Sequence, residues 1–244
     1  MKNDFLIVIP ARLSSTRLPN KPLLDICGKN MLHRTYDRCA SVFSKKIIYV
    51  ATENELIIDY CKLNSINVQL TSQNCLTGTD RVAEFSKFHS AKYYINVQGD
   101  EPLINPEDIL KVVNSINFNR DEILNCYTSI YDEKQFRNNT IPKVVFRPDG
   151  RLLYMSRSYI PGNKADKFNK AWRQVCIYAF PFKLLQEFAT VKIKTELEFE
   201  EDIEILRFLE MGYEVRMLEV SGASISVDTK DDLKLVRGII NSTK

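Results

Sequence analysis

Short apolar runs alternate with helix-period segments through the first hundred residues, and no other feature narrows the fold as much. Residues 5–9 (Phe-Leu-Ile-Val-Ile), 46–52, 67–70 and 93–97 read as strands. Residues 31–43, about 54–63 and 79–88 read as helices. Leu32, Tyr36, Cys39 and Phe43 face inward in the first, Val82, Phe85 and Phe88 in the third. Apolar runs of this length between periodic segments indicate βα units. The expected class is α/β, a mostly parallel Rossmann-like sheet flanked by helices.

The second half is less regular. Residues 143–146 and 151–155 flank the turn Pro148-Asp149-Gly150 and read as a β-hairpin. Residues 175–180 suit a further strand, 213–220 another, and 231–240 a closing helix. Residues 196–212 read as one helix with Phe199, Ile203, Leu206 and Leu209 as its stripe and Gly212 as its stop. With no repeat, low-complexity tract or linker, residues 1–244 are expected to form one domain, with an inserted hairpin and arm at about 140–200.

Charge narrows the ligand. A net charge of +3 is too small for a general nucleic-acid binder. Residues 11–46, however, carry eight Lys or Arg against two acids, a local balance of +6 that suits a small anion. The six cysteines include no C-x-x-C and there are only two histidines, which argues against zinc and for reduced thiols in a cytoplasmic protein. The first apolar run is five residues long, too short for a signal peptide or a membrane span.

The first strand discharges into Pro-Ala-Arg-Leu-Ser-Ser-Thr-Arg-Leu-Pro-Asn-Lys-Pro, residues 10–22. Ligands of open parallel sheets bind beyond the carboxyl ends of the strands. Arg12, Arg17 and Lys21 supply cations there, Ser14, Ser15 and Thr16 hydroxyls, and the prolines stiffness, so the loop suits a polyphosphate. A solvated basic loop is the plainer alternative. Neither G-x-x-x-x-G-K-[ST] nor G-x-G-x-x-G is present. Asp100, in Gly99-Asp100-Glu101-Pro102, and Asp228, in Ser226-Val227-Asp228-Thr229, each follow a strand-like run. Two carboxylates at one cleft suit Mg²⁺, with phosphates or water completing its shell. The alternatives are a turn residue for Asp100 and a helix N-cap for Asp228.

Six stretches, taken in order, resemble the 3-deoxy-manno-octulosonate (Kdo) cytidylyltransferases, also called CMP-Kdo synthetases. They are residues 9–23, Thr77-Gly-Thr-Asp-Arg-Val-Ala-Glu84, 96–102, Leu152-Leu-Tyr-Met-Ser-Arg-Ser-Tyr-Ile-Pro161, 197–207 and 226–233. The resemblance implies attack of a sugar acid's anomeric hydroxyl on the α-phosphate of CTP, with pyrophosphate leaving. It implies that Pro10, Ala11, Arg12, Ser15, Arg17, Lys21, Thr77, Gly78, Thr79 and Arg81 bind the nucleotide. Gln98, Arg157, Gln174, Tyr178 and Glu201 would contact the acceptor. Asp100 and Asp228 would hold Mg²⁺, and together with Lys21 and Arg12 would form the catalytic set. It further implies a homodimer joined around residues 155–195, with no nucleic acid and no membrane insertion, and a product destined for lipopolysaccharide or capsule. Glu198, Glu204 and Arg207 are expected on solvated faces or in ion pairs.

Departures fall on the acceptor side. The family's His-x-Gly-x-Tyr is Gln174-Val-Cys-Ile-Tyr178 here, its Ser-Pro is Thr195-Glu196, and Ser226 replaces a Gly. CTP use is expected to be kept, with Kdo, an 8-amino form or a nonulosonic acid as acceptor. A catalytically inactive nucleotide-binding relative is the competing class.

Overall fold

The computed structural model describes residues 3–14 and 18–242. In chain order the first half comprises β1 (Asn3–Ala11), the two-residue β2 (Asp25–Ile26) and β3 (Lys29–Asn30), α1 (Met31–Ala40), β4 (Ile48–Thr52), α2 (Glu55–Leu63), β5 (Val68–Leu70), α3 (Gly78–Phe85) and β6 (Ala91–Val97). There follow α4 (Pro106–Asn114), β7 (Ile123–Ile130), α5 (Glu133–Arg137), the hairpin β8 (Lys143–Phe146) and β9 (Leu152–Ser156), and β10 (Ala171–Pro181). The chain closes with α6 (Phe182–Phe188), α7 (Glu196–Glu201), α8 (Ile205–Glu210), β11 (Val215–Glu219) and α9 (Lys230–Ser242).

The main sheet runs β11-β7-β10-β6-β1-β4-β5. β10 is antiparallel to both neighbours, β6 and β7, and the remaining pairings along this path are parallel. Side chains alternate across the sheet. Ile7 and Ile9 therefore join one core with α1, α2 and α4, while Leu6 and Val8 join the other with α3, α6 and α8. Burial on both faces is why β1 lacks polar alternation. The chain leaves β1 toward β4 and β5, then returns to lay β6 on β1's other side. That reversal opens a crevice beyond the carboxyl ends of β1 and β6.

The structure corrects four local expectations. Residues 196–212 form two helices, not one: Asp202 takes a left-handed conformation (φ 49°) and separates α7 from α8. The break turns Phe199 outward, 72% exposed, while Ile203 and Leu206 stay buried. Phe88 also points out, because α3 ends at Phe85. Residues 171–181 belong to the main sheet rather than to an arm, so the insertion there is the β8–β9 hairpin and the segment after it. No strand precedes Asp228; residues 220–228 are a loop. The mixed-polarity strand β7, Ile-Leu-Asn-Cys-Tyr-Thr-Ser-Ile, was not legible from apolar runs.

Candidate active site

Two cavities meet at the crevice. The first, about 280 Å³, is walled by the β1 loop and the start of α3: Pro10, Ala11, Arg12, Lys21, Thr77, Gly78 and Arg81 all line it. The second, about 490 Å³, lies over β10 and is lined by Arg157, Arg173, Gln174, Cys176 and Tyr178 among others. Gln98, Asp100, Asp202, Glu204 and Asp228 line both. Backbone contact is close at the junction. A Cβ on Gly99 would stand 2.9 Å from the Pro10 carbonyl oxygen, and one on Gly78 3.1 Å from the Gln98 amide.

Asp100 rides the turn after β6. Asp228 arrives from the far end of the chain, placed by the Val227 N–H donating to the Asp100 carbonyl at 3.0 Å. Thr229 and Asp232 exchange the reciprocal capping bonds at the start of α9, Asp232 N–H to Thr229 Oγ1 and Thr229 N–H to Asp232 Oδ2. The cap is therefore Thr229, and Asp228 turns its carboxylate to the cleft. Lys21 Nζ lies 2.7 Å from Asp100 Oδ2 and 2.8 Å from Asp228 Oδ1. Burial pulls this ammonium's pKa down, but Asp100 and then Asp228 more than offset it, and it stands above the ordinary lysine value.

The wall formed by α3 is held from behind. Glu204 accepts from the Gly78 and Thr79 N–H groups at 3.0 and 2.8 Å and from the Thr79 hydroxyl at 2.5 Å. Burial raises this carboxyl's pKa, and the donors from Thr79 and Gly78 oppose it. Arg207, fully buried, makes paired bonds of 2.6 Å to both oxygens of Glu198 and reaches Asp80 at 2.8 Å. Glu198 and Thr195 form a capping box on α7, so Thr195-Glu196 does the work of a helix start. Glu198 and Arg207 thus form the ion pair that was one of the two expectations, in the interior rather than on a solvated face, while Glu204 is half-buried at the junction of the two cavities.

In the second cavity Gln174 Nε2 donates to Asn125 Oδ1 (2.9 Å) and to the Tyr178 hydroxyl (3.1 Å). Burial drives the Cys176 and Tyr178 pKa values far up, so both stay protonated near neutrality. Arg157 donates to the carbonyls of Glu201 (2.5 Å) and Asp202 (3.0 Å), which the break between α7 and α8 exposes. Lys143, fully buried on β8, donates to the carbonyls of Asn138, Ile141 and Arg157 at 2.8, 2.7 and 2.5 Å. Burial, and secondarily Arg157, lower its pKa to about 8. The folded state then releases this proton before the unfolded one does, so Lys143 adds stability as the pH rises from about 8 to about 10.5. The thermal midpoint of the wild type should gain on that of Lys143→Met across that window; parallel curves would sink the assignment.

Several expected site residues fall otherwise than anticipated. Glu201 lines neither cavity. Its carboxylate accepts from the Ser156 hydroxyl (2.6 Å) and the Arg157 N–H (2.7 Å), buttressing the end of β9. Thr79 is buried with its hydroxyl committed to Glu204 and does not line the first cavity. Arg81 reaches that cleft while its guanidinium pairs with Glu53 at 2.7 Å. Ser15 and Arg17 lie outside the described residues. Sequence reasoning missed Glu204 as the brace of α3, and also Arg173, whose guanidinium holds the Gly222 carbonyl at 2.6 Å. It missed Glu101 too, a buried carboxyl bonded to Ser224. Position alone flagged none of these, because their partners lie about 50 to 126 residues away.

A switch-point crevice with a cationic loop on one wall and a carboxylate pair at its centre defines a nucleotidyltransferase type of enzyme. The chain belongs to the cytidylyltransferase family, whose model matches residues 6–219. It is 35% identical to a 3-deoxy-manno-octulosonate cytidylyltransferase of Protochlamydia amoebophila over 97% of this chain and 94% of that one. It is 37% identical to the enzyme of that name in Koribacter versatilis, over 97% and 90%. Its fold superposes on a CMP:2-keto-3-deoxy-manno-octonic acid synthetase complexed with CTP, with a TM-score of 0.90, 30% identity, and 99% and 100% of the two chains covered.

Proposed function

We propose that the protein transfers CMP from CTP to the anomeric hydroxyl of Kdo or a closely related ulosonic acid and releases pyrophosphate. The observation that carries this reading is the junction of the two cavities at Asp100 and Asp228. A nucleotide in the first cavity and a sugar acid in the second would meet there. Arg12 and Lys21 would face the triphosphate, with Ser15 and Arg17 from the same loop. Pro10, Ala11, Thr77 and Gly78 would border base and ribose. Gln98, Arg157, Gln174 and Tyr178 would face the acceptor.

A divalent cation fits this pair. One cationic group, the Lys21 ammonium, already reaches both carboxylates. Among the described residues no third His, Cys, Asp or Glu completes a metal cluster, so phosphates and water would supply the remaining oxygens. Bound there, Mg²⁺ would withdraw charge from the α-phosphate and lower the pKa of the attacking hydroxyl. The protein's own part is to hold the hydroxyl in line with phosphorus and to neutralise phosphate charge. Glu204 acts at one remove, by fixing the Gly78–Thr79 wall. Glu204→Gln should raise the KM for CTP by about tenfold, the scale of one charged hydrogen bond, with a smaller change in kcat.

The deciding experiment is pyrophosphate release from CTP and Mg²⁺ with Kdo, 8-amino-Kdo, a sialic acid or no acceptor. Release with Kdo supports the reading. Release only with another acid keeps the chemistry and moves the substrate, which the neutral Gln174–Asn125–Tyr178 network accommodates. CTP binding with no release from any of them favours an inactive relative. The homodimer and the cytoplasmic location belong to the same proposal. Light scattering tests the dimer. Among the described residues no helix is long and apolar enough to cross a membrane.

A further inference from the structure

Lys21 has a position that phosphate binding alone does not require. Its backbone is fixed. Asn20 before it is left-handed (φ 55°), Pro22 follows it, and the turn closes with the Leu23 N–H donating to the Asn20 carbonyl at 2.9 Å. Its side chain, 13% exposed, extends from that turn to place one ammonium between two carboxylates that lie 79 and 207 residues further along the chain. The same side chain lines the cleft that Arg12 lines. The ammonium therefore has two anionic destinations within reach of one Cα: the carboxylate pair, and any polyphosphate entering beside Arg12.

We infer that Lys21 is a counter-ion gate: without nucleotide it holds Asp100 and Asp228 together and keeps a divalent cation off them, and an entering triphosphate draws it away and opens the pair. The inference rests on the reading of this cleft as a CTP site. The physical argument is one of charge. With the ammonium in place the pair and its lysine carry a net charge of −1 instead of −2. A metal ion arriving alone must sit against a positive charge only a hydrogen bond from each ligand oxygen. A triphosphate removes that repulsion by offering the ammonium a more highly charged partner, and it brings oxygens that complete a cation's shell. The metal is thereby accepted with the nucleotide rather than before it.

The test is Mn²⁺ binding to the protein without nucleotide, read by electron paramagnetic resonance, for the wild type, Lys21→Gln, Lys21→Met and Lys21→Arg. Either neutral variant should bind Mn²⁺ at least about tenfold more tightly than the wild type, since the competing charge of Lys21 is gone. Lys21→Arg, which keeps the charge, should stay near the wild type. Adding Asp100→Asn to Lys21→Gln should abolish the gain and so locate the ion at this pair. Metal-free CTP binding should weaken in the neutral variants. Equal Mn²⁺ affinity in the wild type and in whichever neutral variant folds, judged by circular dichroism, overturns the gate. A gain that survives Asp100→Asn overturns it too. If the wild type binds CTP and either of these results is found, the gate fails and the function stands; if the wild type binds no CTP, the functional reading itself fails.

Discussion

Asp100→Asn should lower turnover by about three powers of ten while leaving the fold intact, because it removes a carboxylate that would hold the cation offsetting the negative charge of the transition state. The substitution is nearly isosteric, and Asp228 still partners Lys21 at 2.8 Å, so the ammonium is not stranded. The Asp100 carbonyl, which receives the Val227 N–H, is untouched, and the loop that delivers Asp228 stays in place. Steady-state kinetics beside a thermal melt decide the matter. A variant that melts like the wild type and turns over within about tenfold of it would remove Asp100 from the metal and from catalysis. A variant that loses both would show that the carboxylate is structural.

The largest effect on stability should come from Arg207→Met. This guanidinium is fully buried and bonds Glu198 and Asp80, while its face lies over Phe188 at 3.8 Å. Burial opposes its charge, and Glu198 and Asp80 outweigh burial, so its pKa is raised. Methionine fills much of the space but leaves two carboxylates facing each other in the interior. Removing one partner from such a cluster costs about 3–5 kcal/mol. For a chain of this size that corresponds to a fall in Tm of roughly 10 °C. Because Asp80 also accepts from the Thr77 hydroxyl at 2.7 Å, the edge of the first cavity should loosen with it. Replacing Arg207, Glu198 and Asp80 together by apolar residues should recover part of the loss. A single variant that melts within about 2 °C of the wild type would show that the cluster contributes little.

Local signals were legible where one short segment decides its own structure. The run Phe5–Ile9 demands burial on both sides, and β1 sits inside the sheet with neighbours on either edge. The hairpin was readable because Gly150 takes a positive φ at its turn. The helix over 196–212 was misread because an apolar stripe cannot report a left-handed residue at Asp202, whose carbonyl is wanted by Arg157, 45 residues earlier. β7 was missed because Asn125, fully buried at its centre, looks like a loop residue until its amide meets the carbonyls of Val175 and Ile177.

The site divides along the same line. Residue types and their order along the chain were enough to nominate the loop at 10–22, Asp100 and Asp228, because a phosphate needs cations and a metal needs carboxylates wherever they stand. Sequence by itself therefore determined the α/β class, and it nominated an anionic ligand and residues to meet it. Only the tertiary structure decided that Glu201 is a buttress, that Glu204 braces α3, and that Lys21 rests between the two aspartates. Those assignments depend on which donor lies within 3 Å of which acceptor, and folding brings together groups that the chain separates by 44 to 207 residues.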